Sequence, residues 1–420
     1  VGTGRGLARY TKFCYDEDNQ ICTSPPKRGL LTAVKVWNGQ TGAYHTASYQ
    51  YDGYANIREF SDPNGSVTRV THDDVYHLYP VSFCNTLNQC LTLHWDFTLG
   101  RMKYYVDANN NWRDWTLYDK LGRVHSVSLG DGGTVSYRYL NAGDPSRQYV
   151  QVMLSDNTMD WPSRRLFVDG LGRPYKEIAK GSTAASTLDR FIMYSDASAR
   201  PWKISRRHDS WNATPAVDEY SYEGAGRLLR VRHSDGSEQR YSYGANESAV
   251  WADLQDEKGH AKRVVLDAYG RIKETIDGYA SATPSVTRFD YDVLDRLIRV
   301  TDAEGYAREI TWDSLGRKVR SADPDLGTWT YTHDAADNRT SLTDARGVTL
   351  RFSYDALGRL RRKIYPNGDE VVLNYDEPGH GAGIGRLTSV VDPTGSGCAS
   401  GISASFYYDL LGRVRGEARC

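Results

Sequence analysis

No stretch of this chain approaches the ~18 consecutive apolar residues that a membrane-spanning helix needs, so no transmembrane helix is expected. Nor is either sign of charge in excess, with 52 Lys and Arg against 53 Asp and Glu. Such a balance gives no overall field to hold nucleic acid or an anionic bilayer. The short basic runs at 200–208 and 359–363 have acidic neighbours and read as solvated strand faces. No run of helical length shows a 3.6-residue apolar period. Nucleophile-elbow, phosphate-loop and zinc-protease patterns are missing. The opening VGTGRGLARY has no initiator Met, signal-like stretch or transit peptide, and the chain is expected to be a piece of something longer, truncated at its C-terminus.

Phenylalanine and methionine are scarce, at 9 and 4, whereas tyrosine and glycine are abundant, at 30 and 39. An aromatic that tolerates one wet end, together with frequent glycine turns, suits many short half-exposed strands. Cysteine is also sparse: the six fall as Cys14 and Cys22, Cys84 and Cys90, Cys398 and Cys420. These spacings leave local disulfides and free thiols both open, with zinc behind them, and an oxidising compartment goes with the first reading.

What is present is a repeated phrase. It reads YDKLGRV at Tyr118, VDGLGRP at Val168, YEGAGRL at Tyr222, LDAYGRI at Leu266, YDVLDRL at Tyr291, WDSLGRK at Trp312, HDAADNR at His333, YDALGRL at Tyr354 and YDLLGRV at Tyr408. Weaker copies start at Tyr51, His72, Trp95 and Tyr194, and a loop-expanded copy starts at Tyr375. From 291 to 375 the starts recur every 21 residues, whereas insertions stretch the spacing between 118 and 291. The expected organisation is a single array over 45–420 behind an irregular lead-in at 1–44. The motif residues are Tyr118, Asp119, Gly122 and Arg123; Asp169, Gly172 and Arg173; Tyr222, Gly226 and Arg227; Tyr291 and Asp292; Asp313, Gly316 and Arg317; Tyr354, Asp355, Gly358 and Arg359; and Tyr408, Asp409, Gly412 and Arg413.

Each unit holds two strands and two turns. The mid-unit slot, such as Pro366-Asn367-Gly368-Asp369, reads as a tight Asn-Gly hairpin with positive φ at both central residues. In the D-x-x-G-R slot the Asp caps its own downstream amides and the Gly takes the left-handed conformation. The Leu between them is expected to fold beneath the turn, and the Tyr to anchor the strand end. An isolated hairpin cannot bury a face, so the units must pair edge to edge. The predicted fold is all-β: a long antiparallel ribbon of two dozen strands or more that coils as twisted sheets do.

The recurring YDxLGRL phrase with DG or NG at mid-unit resembles the Rhs/YD-repeat superfamily, which includes bacterial Rhs polymorphic toxins, insecticidal toxin-complex B and C proteins and the YD shell of teneurins. The resemblance covers most of residues 45–414 and implies a β-ribbon spiralling into a hollow shell around a C-terminal toxic polypeptide. That family's self-cleaving C-terminal core is not found here, so neither self-cleavage nor a toxin domain carries over.

A carboxylate repeated about a dozen times cannot own a private, tuned environment in each copy, so the Asp and Arg read as joints and no enzyme is expected. Asp107, Asn109 and Asn111 are spaced like the start of a calcium loop, but Trp112 stands where such a loop needs Gly, and a turn is the better reading. The same holds for 15–20. His72, His94, His233 and His333 are read as standing where Tyr or Trp occur in other units. Sequons stand at Asn64, Asn212, Asn246 and Asn338. The expected function is that of a shell segment of a secreted protein. Its partners would be its own C-terminal cargo and other subunits of a toxin complex. The alternative is a cell-surface adhesion or carbohydrate-binding array whose aromatic faces take surface glycans. Neither reading calls for a cofactor.

Overall fold

The computed structural model describes residues 10–16, 22, 25–156, 159–160, 164–181, 186–195, 199–209, 214–247, 249–393 and 403–419. Among them there is no α-helix, and strand follows strand. They pair antiparallel in chain order, as a nine-stranded sheet from Thr11 to Arg113 and a 28-stranded sheet from Trp115 to Arg419. The insertions expected between 118 and 291 lie beside this order. Met159–Asp160 and His208–Asp209 are two-residue strands, and the neighbours of each also pair directly, Tyr149–Asp156 with Arg164–Val168 and Pro201–Ser205 with Val217–Tyr222.

Two features depart from the sequence reading. The lead-in is not irregular throughout: Leu31–Asn38 is an eight-residue strand paired with Ala43–Tyr51, and Thr11–Tyr15 pairs onto it. The Asn38 side chain closes that hairpin by accepting from the backbone N–H groups of Gln40 and Thr41. The chain also forms two compact units. The first comprises Val1–Trp115, Tyr291–Arg299 and Ala307–Cys420; the second comprises Thr116–Asp290 and Val300–Tyr306.

Burial is that of a single layer. Among the described residues the buried apolar side chains are Cys14, Ala33, Val231 and Ala382, too few for a sandwich core. Stability must therefore come from cross-strand contacts within the ribbon, repeated at every step. Cys14 is bonded to Cys22, and Cys84 to Cys90 across the facing ends of two strands. Cys398 and Cys420 lie outside the described residues.

The two turns of a unit share one geometry. At the repeat phrase the Asp355 N–H donates to the Arg359 carbonyl and the Gly358 N–H to the Asp355 carbonyl. At mid-unit the Tyr365 N–H donates to the Asp369 carbonyl and the Gly368 N–H to the Tyr365 carbonyl. The Asn-Gly slot is thus a three-residue loop with one left-handed residue, Gly368 at φ 92°, in place of the expected two-residue turn. Asp302–Tyr306 and Asp344–Val348 close the same loop without a proline, so the loop belongs to the repeat, and Pro366, its φ held at about −65°, fits the first loop position.

The two ends of a hairpin still differ. At the repeat phrase the register slips by one, between Ser353 and Tyr354 and equally between Thr311 and Trp312, Thr332 and His333, and Asn374 and Tyr375. The mid-unit ends, such as Arg362–Ile364 against Glu370–Val372, keep their register. A bulge bends its strand and adds right-handed twist. Placing one at the same end of these successive hairpins is a local cause of twist along the ribbon.

Candidate functional site

The repeat phrase brings an acid, an arginine and an aromatic together at one turn. Asp355 Oδ1 accepts the backbone N–H groups of Leu357 (2.9 Å) and Arg359 (3.0 Å), while Oδ2 accepts Arg359 Nε at 2.7 Å. The same three bonds recur at Asp119, Asp169, Asp267, Asp292 and Asp313. Asp409 makes the two bonds to Arg413. Glu223 replaces Asp before Gly226 and pairs with Arg227. The backbone N–H of the motif Arg, and then its guanidinium, hold the carboxyls of Asp119 and Asp169 below the usual carboxylate range against the opposing effect of burial. These groups are ionised acceptors committed to their own turns.

The arginine does three things at once. Arg359 binds its own Asp355, lies over the Tyr375 ring at 4.3 Å, and reaches the next turn by two bonds to the Asp376 carboxylate, at 3.0 and 2.6 Å. Arg123 and Arg227 lie likewise over Tyr139 and Tyr243, at 4.1 and 4.2 Å. Arg296 and Arg317 donate to the carbonyls of Asp313 and Asp334, both at 2.6 Å. Arg296, Arg317 and Arg359 thereby tie their turns to the ones after them, as a planar, multi-donor head can.

The aromatic at the head of the phrase supplies a donor. Tyr354 Oη donates to the Arg339 carbonyl at 2.8 Å and Tyr375 Oη to that of Leu360 at 2.9 Å, each 15 residues back. Trp312 Nε1 does the same to Leu297 and Trp95 Nε1 to Pro80, which explains why Trp can stand in for Tyr. This bond also exposes two copies that the sequence reading missed. Tyr139 Oη donates to Val124 and Tyr243 Oη to Leu228, although neither is followed by the D-x-x-G phrase. The available signal was spacing, since each stands 21 residues after a clear copy, at Tyr118 and Tyr222. The leucine before the Gly does not always fold beneath the turn: Leu121 and Leu171 are 76% and 78% exposed. Leu315 and Leu357 are half-buried, and in the first unit Leu357 faces the turn at Asp62–Ser66.

That facing belongs to a seam. Within the first unit, mid-unit turns of the nine-stranded sheet meet repeat-phrase turns roughly 270 residues further on. The Gly39 N–H donates to Ser314 Oγ (2.8 Å), whose hydroxyl donates to the Trp37 carbonyl. Asn64 Nδ2 donates to Asp334 Oδ2 (2.9 Å), and Asn109 exchanges two bonds with the Ile384 backbone, at 3.0 and 2.7 Å. Gln89 bonds Asp376. The contacts advance one repeat per repeat, so the seam is in register. At Asp334 the usual Arg is Asn338, and Asn64 and Asn338 share its Oδ2. Both sequon amides are thus engaged, while Asn212 lies outside the described residues. In the turn read as calcium-like, Asp107 accepts from the Asn109 and Asn111 amides and from Arg113, and Asn109 is taken by the seam. No cluster of three or more metal-ligating groups is present among the described residues.

Comparison with known proteins agrees with this geometry. Residues 312–349 and 333–370 match the family described as RHS Repeat. The matched stretches lie in the regular part of the array, where the phrase recurs every 21 residues. A relative, double-stranded DNA deaminase toxin A of Burkholderia cenocepacia (strain H111), is 25% identical over 239 residues, which are 53% of this chain and 16% of that protein. The TcdB2-TccC3 crystal structure superposes with a TM-score of 0.78 over 98% of this chain and 27% of that one, at 14% identity. The Photorhabdus luminescens Tc holotoxin pore gives 0.74 over 98% and 32%, at 12% identity. These structures share the fold, and the chain spans under a third of each.

Proposed function

We propose that this chain is a wall segment of a secreted toxin-complex-like protein that encloses a toxic polypeptide, and that it has no catalytic role of its own. The observation that carries this reading is the in-register seam: a ribbon whose turns lock onto its own turns about 270 residues later is built to make a continuous wall. The likeness in fold to TcdB2-TccC3 supports it. What the chain shares with the deaminase toxin is, on this reading, the wall and not the deamination, because the matched part is 16% of that protein. The adhesion reading has less support, since guanidinium groups already cover repeat tyrosines such as Tyr139, Tyr243 and Tyr375, and a covered ring face cannot stack on a pyranose. The test is limited proteolysis of the complete protein, followed by peptide mass spectrometry. Cargo sequence protected until the wall is unfolded is the expected result; cargo cut as fast as the free polypeptide would refute the proposal.

A further inference from the structure

His233 stands apart from the other histidines of the array. It does not replace Tyr or Trp, as the sequence suggested. It heads a mid-unit turn in the place where Asp302 or Asp344 stands elsewhere, with its N–H donating to Ser237 and its carbonyl accepting from Gly236. Its side chain is 19% exposed, and both ring nitrogens face carboxylates. Nδ1 is 2.9 Å from Asp218 Oδ1, and Nε2 is 3.2 Å from Glu257 Oε1. Asp218 lies on the strand Val217–Tyr222, His233 follows Leu228–Arg232, and Glu257 sits in the turn before Ala261–Leu266. All are in the second unit.

An ionised carboxylate only accepts, and a neutral imidazole has only one N–H. Both contacts can be made together only when the ring carries two protons. We propose that His233 is a proton-dependent clasp that holds these successive hairpins together in acid and releases one of them as the pH rises. The other groups facing the clasp are few. Arg206 approaches Asp218 at 3.5 Å, Gln239 Nε2 donates to Glu257 at 2.7 Å, Tyr241 Oη donates to Gln239, and Asp235 lies on the same turn, bonded to Ser237. The hydrogen bond to Asp218, opposed by burial and then reinforced by the contact with Glu257, holds the histidine above its ordinary value. A folded value above the unfolded one means that the stabilisation is complete below the unfolded value and is lost as pH rises through the folded one.

Urea unfolding of the full chain and of His233→Gln between pH 5.5 and 8.5 tests this. The variant should be less stable at the acid end, with the gap closing as the pH rises; a gap independent of pH would overturn the clasp. Should the variant fail to fold, the Cε1 resonances of 13C-histidine-labelled wild type provide a second route, with His233 assigned by its shift in Asp218→Asn. A titration midpoint above the ordinary ~6.5 supports the proposal, and one at or below it refutes it.

Discussion

At Ala55 a non-glycine residue sits at φ 71°, in a turn where other copies use Gly. Left-handed backbone costs an L-residue about 1–2 kcal/mol, so Ala55→Gly should raise the unfolding free energy by about 1 kcal/mol in urea titrations. Gly358, at φ 74°, gives the converse. Gly358→Val should lose more than about 2 kcal/mol, because a β-branched residue tolerates this region least, while Gly358→Asn should lose much less. These conformations were legible in the sequence, since D-x-x-G carries its geometry in its own side chains. The mid-unit turn type was less legible, because Asn-Gly is compatible both with a two-residue turn and with the three-residue loop that Asp302–Tyr306 and Asp344–Val348 also use. His233 was misplaced for a related reason, as spacing alone does not say which of two similar turns a residue heads.

Between neighbouring hairpins, the motif Arg and the aromatic carry the connection. Arg359→Ala should cost about 2–3 kcal/mol, and Arg359→Lys should rescue little, because one ammonium cannot serve Asp355 and Asp376 together while covering Tyr375. Trp312→Phe removes the donor to the Leu297 carbonyl and should cost about 1 kcal/mol or more, whereas Trp312→Tyr should be milder. The strands and their order were readable from the 21-residue period, because nearly every pairing is to the next strand. The one-sided bulge was not readable, being a property of backbone register that no residue type announces. Tyr139 and Tyr243 were readable in principle from their spacing, but these two copies lack the turn residues that mark the others.

The seam joins residues far apart in sequence through single amides and backbone groups, with no local signature in Asn64 or Asn109. It was illegible for that reason, as was the division into two units. Asn109→Ala should remove both bonds to Ile384 and speed hydrogen exchange at the Ile384 amide at least tenfold, while leaving exchange in the repeats around Tyr331 unchanged. Cargo enclosure is the function proposed for this architecture, and cryo-electron microscopy of the complete protein tests it most directly. The predicted map shows a continuous single-layer wall, seam in register, around a cavity that its own side chains do not fill and that holds weak polypeptide density. A ribbon packed face to face with no cavity would contradict it.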